Sequence, residues 1–187
     1  MRHDEPPDFS RLPPPEDDGG AAHLPGSKLP DIALPATDGT DVNPARLPGR
    51  TILYAYPMTA RPGIPLPDGW DMIPGARGCT PQACAFRDHA AELAACGVNA
   101  FFGLSVQDRD YQREAALRLH LPFPLLSDHG LAFARALSLP LMEVDGRPLL
   151  RRLTMVIDGG RISHVFYPVF PPDSHVEELI AWLEHNP

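Results

Sequence analysis

TILYAYP at residues 51–57, GARGCTPQACAFRD at 75–88 and VNAFFGL at 98–104 form the stretch whose reading decides the fold. Residues 51–56 are apolar on both faces, as expected of a central parallel strand covered by helices on each side, and residues 98–104 repeat the signature. Between them, residues 82–95 place Phe86, Ala90, Leu93 and Ala94 at helical spacing, opposite Arg87, His89 and Glu92. A β–α–β unit with a right-handed crossover follows.

Working outward, residues 108–120 read as a polar-capped helix with Tyr111, Ala115 and Leu119 one turn apart, followed by a strand over 123–126 and a short helix over 131–137. Residues 153–157 and 162–167 flank Asp158-Gly159-Gly160-Arg161, a tight-turn signal that predicts an antiparallel pair. The last helix is expected to open on a capping box of Ser174 and Glu177 and to bury Val176, Leu179, Ile180 and Leu183. Upstream, residues 32–34 and 41–42 predict a short N-terminal hairpin. The expected fold class is α/β, a mixed central sheet flanked by helices. Residues 1–28 are proline-rich and acidic and are expected to form a disordered or loosely attached arm, leaving residues 29–187 as the domain.

A chain of 187 residues with 43% hydrophobic content can bury one core, which excludes wholesale disorder. Three cysteines are too few for a disulfide scaffold. A net charge of −8, from 24 acidic and 16 basic residues, argues against nucleic acid or an anionic membrane as partner. The sequence holds no membrane-length apolar run, and its N-terminal residues lack the apolar core of a secretory signal. A cytoplasmic location is expected, where reducing conditions make a close cysteine pair catalytic or metal-binding rather than a staple.

Pro81 fits the first position of a helix, with Thr80 as cap and Cys79 just outside. The free N–H groups there, with Arg77 nearby, favour a thiolate at Cys79 that attacks electrophiles. The alternative is that Cys79 and Cys84 are merely small packed residues. Five residues along a helix amount to about 140° and about 8.5 Å between Cα atoms, beyond the ~7 Å limit of a disulfide. If Cys84 resolves an oxidised Cys79, the first turn has to unwind. Cys79, Cys84 and His89 repeat at this spacing, which spreads them around the helix, and no fourth ligand completes a tetrahedral metal set. The spacing is not that of a C-x-x-C exchanger either, and Cys96, before Gly97, reads as a packed residue.

With these motifs in order, the chain resembles a peroxiredoxin of the Q type, also called bacterioferritin comigratory protein, over about residues 30–186. The resemblance rests on Tyr56-Pro57, on Gly78-Cys79-Thr80 with Cys84 and Arg87-Asp88, on Phe123-Pro124-Leu125-Leu126-Ser127-Asp128, and on Arg152-Leu153-Thr154-Met155-Val156-Ile157-Asp158. It implies a thioredoxin-like fold and a thiol-dependent peroxidase that needs no cofactor or metal. By the same resemblance Cys79 is peroxidatic, Cys84 is resolving, and Arg152 faces the reacting thiol. Thr80 is expected beside the peroxidatic cysteine, and Pro57 beside the substrate. The implied partners are a hydroperoxide and a thioredoxin or glutaredoxin-like reductant, with no nucleic acid or membrane, and the chain is expected to be a monomer or homodimer.

Two departures stand out. The family's loop reads Pro-x-x-x-Thr-x-x-Cys, but Ala76 occupies the threonine position, so Thr59 is a candidate to supply the hydroxyl that orients the peroxide. Residues 58–74 are additional, too rich in proline for a helix, and predict a loop over the site in which Trp70 shapes access for bulky organic hydroperoxides or meets a second subunit. Two other readings remain: a thioredoxin-fold disulfide exchanger, and a non-enzymatic redox-sensing protein whose arm binds a partner.

Overall fold

The computed structural model describes residues 7–187. Its centre is β3 (Arg50–Ala55), preceded by the short antiparallel pair β1 (Leu34–Pro35) and β2 (Asp41–Val42). After β3 come α1 (Cys79–Asp88), α2 (Ala90–Ala95) and β4 (Val98–Ser105), then α3 (Arg109–Arg118), β5 (Leu125–Ser127) and α4 (Ala132–Leu137). A hairpin of β6 (Leu141–Val144) and β7 (Arg147–Leu150) leads to β8 (Leu153–Asp158), β9 (Arg161–Phe166) and α5 (His175–His185). The main sheet has the order β5-β4-β3-β8-β9. β3, β4 and β5 run parallel, while β8 is antiparallel to both β3 and β9, with Leu53 between Phe102 and Met155.

Both faces of β3 are buried, as its sequence requires. On one face Ile52, Tyr54 and Tyr56 pack with Phe86 of α1, Leu93 of α2 and Val176, Leu179 and Leu183 of α5. On the other, Leu53 and Ala55 meet Phe133, Ala134 and Leu137 of α4. Tyr54 stacks on Phe86 at 4.2 Å between ring centroids. Gly103 lets this pile close against β4, since a Cβ there would lie 2.8 Å from the Tyr54 ring and 2.7 Å from Leu125.

Three expectations need correction, and one element was not foreseen. Residues 7–28 are not a loose arm: Ala21 and Leu24 belong to the core, Gly26 N–H donates to Ile162 O at 2.7 Å and Leu29 N–H to Gly160 O at 2.9 Å. Their sparse apolar residues are seated individually, which composition averages hide; residues 1–6 lie outside the described part. The helix expected over residues 82–95 begins earlier, at Cys79, and breaks at His89, whose ring Nδ1 lies 2.9 Å from Ala85 O. Ser174 precedes α5, but its side chain makes no cap bond. The β6–β7 hairpin was missed, although Asp145-Gly146, both at positive φ, is the two-residue turn signal such a hairpin needs. Among the described residues no helix is long and apolar enough to cross a membrane.

Candidate active site

Gly78 adopts φ +108°, a left-handed entry that turns the chain directly into α1. Cys79 is therefore the first helical residue and Thr80 the second, so Thr80 is not the cap that its sequence position predicts. The first turn closes through Gln82 N–H on Gly78 O at 3.0 Å. The N–H groups of a first turn have no intrahelical partner, so the sulfur of Cys79 sits at the helix end whose backbone donors are free to face a bound group. The side chain is only 5% exposed, and its thiol donates to Ala76 O at 3.6 Å.

Arg152 reaches this sulfur from the position just before β8. Its Nη2 lies 3.1 Å from Cys79 Sγ and also donates toward the carbonyls of Ala76 at 3.2 Å, Arg77 at 3.3 Å and Gly75 at 3.4 Å. Nη1 donates to Gln82 Oε1. The side chain is 3% exposed, so its charge acts in a medium that screens it little. The two adjacent arginines lie in the link between β7 and β8 and point apart: Arg152 is buried, while Arg151 turns out to Leu141 O at 3.1 Å. Gln82, fully buried one turn after Cys79, was missed in the sequence; its polar side chain on the otherwise apolar inner face of α1 was the available signal.

The thiol opens into a cavity of about 730 Å³ whose lining includes Cys84, Thr80, Trp70, Met58, Ile64 and Leu66. Cys84 is half-buried, and burial pushes its thiol above the ordinary range, partly offset by the Arg87 guanidinium. Both cysteines are free thiols in one continuous helix, which keeps their Cα atoms about 8.5 Å apart. Trp70 is 5% exposed and packs with Ala76, Met142, Val144 and Leu149 in a separate small core beneath the additional loop.

Other expectations are not met. Thr59 does not stand in for the absent hydroxyl: its N–H and Oγ1 both donate to Gln107 Oε1, at 2.8 and 3.2 Å, and it does not line the cavity although Met58 and Ala60 do. Pro57 is buried behind the cavity wall, its carbonyl accepting from Ser105 Oγ at 3.1 Å. Arg77 lines the cavity, but its guanidinium is held by Asp71 rather than by the thiol. Ala76 has no exposed surface and presents no hydroxyl. A second cavity of about 620 Å³ lies behind the loop, between Leu66, Tyr111 and Leu149, and contains neither cysteine.

Sheet order, helix placement and a free cysteine at a helix start beside a buried arginine define a thioredoxin-fold thiol protein. The family model described as Redoxin matches residues 24–180. The chain is 29% identical over 161 residues to chloroplastic peroxiredoxin Q of Gentiana triflora, and 30% identical over 161 residues to a putative chloroplastic peroxiredoxin Q of Oryza sativa subsp. indica. Each match covers 85% of this chain and 66% of the relative, so the chain spans just under two thirds of those relatives' length. Peroxidoxin BcpB from Mycobacterium tuberculosis superposes with a TM-score of 0.69 at 27% identity, over 87% of this chain and 98% of that one. Xanthomonas campestris bacterioferritin comigratory protein shares the fold, with a TM-score of 0.66 at 20% identity over 85% and 96% of the two chains. The chain thus belongs to the Redoxin family, among the peroxiredoxins of the Q type.

Proposed function

We propose that the protein is a two-cysteine thiol peroxidase that reduces hydrogen peroxide and organic hydroperoxides. The observation that carries this reading is the 3.1 Å contact of Arg152 Nη2 with Cys79 Sγ, at a cavity that also reaches Cys84. In the first step the Cys79 thiolate attacks one peroxide oxygen; the S–O bond forms as the O–O bond breaks, and the departing oxygen takes a proton and leaves as water or alcohol. Negative charge moves from sulfur to that oxygen, and Arg152 together with the first-turn N–H groups supplies the positive field it needs. The Cys79 sulfenic acid then condenses with the Cys84 thiol, releasing water. An external dithiol of the thioredoxin or glutaredoxin kind reduces the disulfide by exchange, in the cytoplasm on this reading.

The apolar stretch of lining formed by Met58, Ile64, Leu66 and Trp70 favours organic hydroperoxides over hydrogen peroxide alone. On this reading Trp70 shapes access and Thr80 borders the reacting thiol. The test is to add one equivalent of hydrogen peroxide to the reduced protein, count free thiols, and map the peptides. Loss of two thiols within seconds into a Cys79–Cys84 bond is the expected result. Oxidation of Cys79 alone would replace the two-cysteine mechanism with a one-cysteine one, and no thiol loss would refute the peroxidase reading.

A further inference from the structure

Phe9 covers the point at which α1 has to open. Its ring is 8% exposed, sits edge-on to Phe170 at 6.0 Å between centroids, and packs directly on Gly78. A Cβ built on Gly78 would lie 2.8 and 2.9 Å from two atoms of the Phe9 ring and 2.4 Å from Pro172. Gly78, at φ +108°, is the residue that turns the chain into the helix and so is the hinge about which Cys79 would swing. The segment bearing Phe9 is fastened further along: Pro15 packs over Gly75, Asp18 accepts from the Tyr167 hydroxyl at 2.7 Å, and Leu24 is in the core. Segment 9–24 thus touches the cysteine loop at Gly75 and again at Gly78, immediately before the nucleophile.

With the two cysteines held about 8.5 Å apart by one helix, no disulfide forms until the turn carrying Cys79 leaves the helix. That movement pulls Gly78 away from Phe9 and exposes the ring. We propose that Phe9 is a positioning residue for the resolving step: its packing on Gly78 sets how often the first turn of α1 opens. The consequence rests on the peroxidase reading above. Two reactions compete for the Cys79 sulfenic acid, condensation with the Cys84 thiol to give disulfide and water, and attack on a second hydroperoxide to give sulfinic acid and an alcohol or water. Only the first requires opening, so Phe9 holds the nucleophile in its reactive geometry while slowing its escape to the disulfide.

The experiment uses the full chain as wild type, Phe9→Ala and Phe9→Leu. In the reduced protein, amide hydrogen exchange over residues 79–84 is expected to rise about tenfold in Phe9→Ala, to return toward wild type in Phe9→Leu, and to stay unchanged in β3 and β8. Under excess hydrogen peroxide, Phe9→Ala is expected to form the disulfide about tenfold faster and to yield correspondingly less sulfinic acid. Wild-type exchange over residues 79–84 in Phe9→Ala would overturn the proposal, as would acceleration spread equally over β3 and β8. If no variant reacts with peroxide, the peroxidase reading fails by itself, and the exchange measurement still decides whether Phe9 holds the turn.

Discussion

Replacing Arg152 by lysine is expected to slow the oxidation of Cys79 by hydrogen peroxide about hundredfold while the protein stays folded. The magnitude comes from the geometry. The guanidinium bridges Gln82 Oε1 through Nη1 and Cys79 Sγ through Nη2, the latter at 3.1 Å, in a site that is 3% exposed. A single ammonium keeps the charge but cannot span both partners, so one donor aimed at the reacting atoms is lost. A charge-assisted hydrogen bond is worth roughly 1.5–3 kcal/mol. Removing one preorganised donor to a developing anion costs about 100–1,000-fold in rate. At about 1.36 kcal/mol per decade, hundredfold corresponds to about 2.7 kcal/mol, inside that range. The assay is single-turnover loss of the Cys79 thiol against peroxide concentration, which isolates the first step from reduction of the disulfide. A fall of less than about threefold, with an unchanged urea midpoint, would refute the assignment of Arg152 to the reacting atoms.

Cys84→Ser is expected to stop after the first step: intact mass should show one added oxygen on Cys79, no internal disulfide, and progression to sulfinic acid in excess peroxide. Because burial raises the Cys84 thiol above its ordinary range, its thiolate fraction keeps climbing through neutral and mildly alkaline pH, so rapid-quench measurement of disulfide formation should show a rate that rises with pH over that window. Gly103→Ala forces a methyl to within 2.8 Å of the Tyr54 ring and 2.7 Å of Leu125, and should cost about 1–3 kcal/mol in urea unfolding. His175 is buried between Thr154, 2.9 Å away, and Glu178, and burial, against the pull of Glu178, holds its imidazole below the ordinary range. The unfolded chain then binds the proton more readily than the folded one, so stability should fall as pH drops below about 6.5, and the fall should be shallower in His175→Gln.

The chemistry-bearing residues and the sheet were largely legible because their signals are local. The both-faces-apolar run around Leu53 needs helices on each side, Asp158-Gly159-Gly160-Arg161 closes the β8–β9 hairpin, and a cysteine after glycine at a helix start marks itself. Sequence alone determined the α/β class, the central strands and the antiparallel pair at the sheet's end, and it singled out Cys79 and Cys84 as the candidate pair. Tertiary structure alone decided which of Arg151 and Arg152 faces the sulfur, that Thr59 belongs to Gln107 rather than to the site, and that Gln82 partners the arginine. It also decided that Phe9 lies on Gly78, some seventy residues along the chain. These are long-range pairings in which either partner has several acceptable alternatives, and only the packing of β8 against β3 and of residues 9–24 across the cysteine loop selects among them.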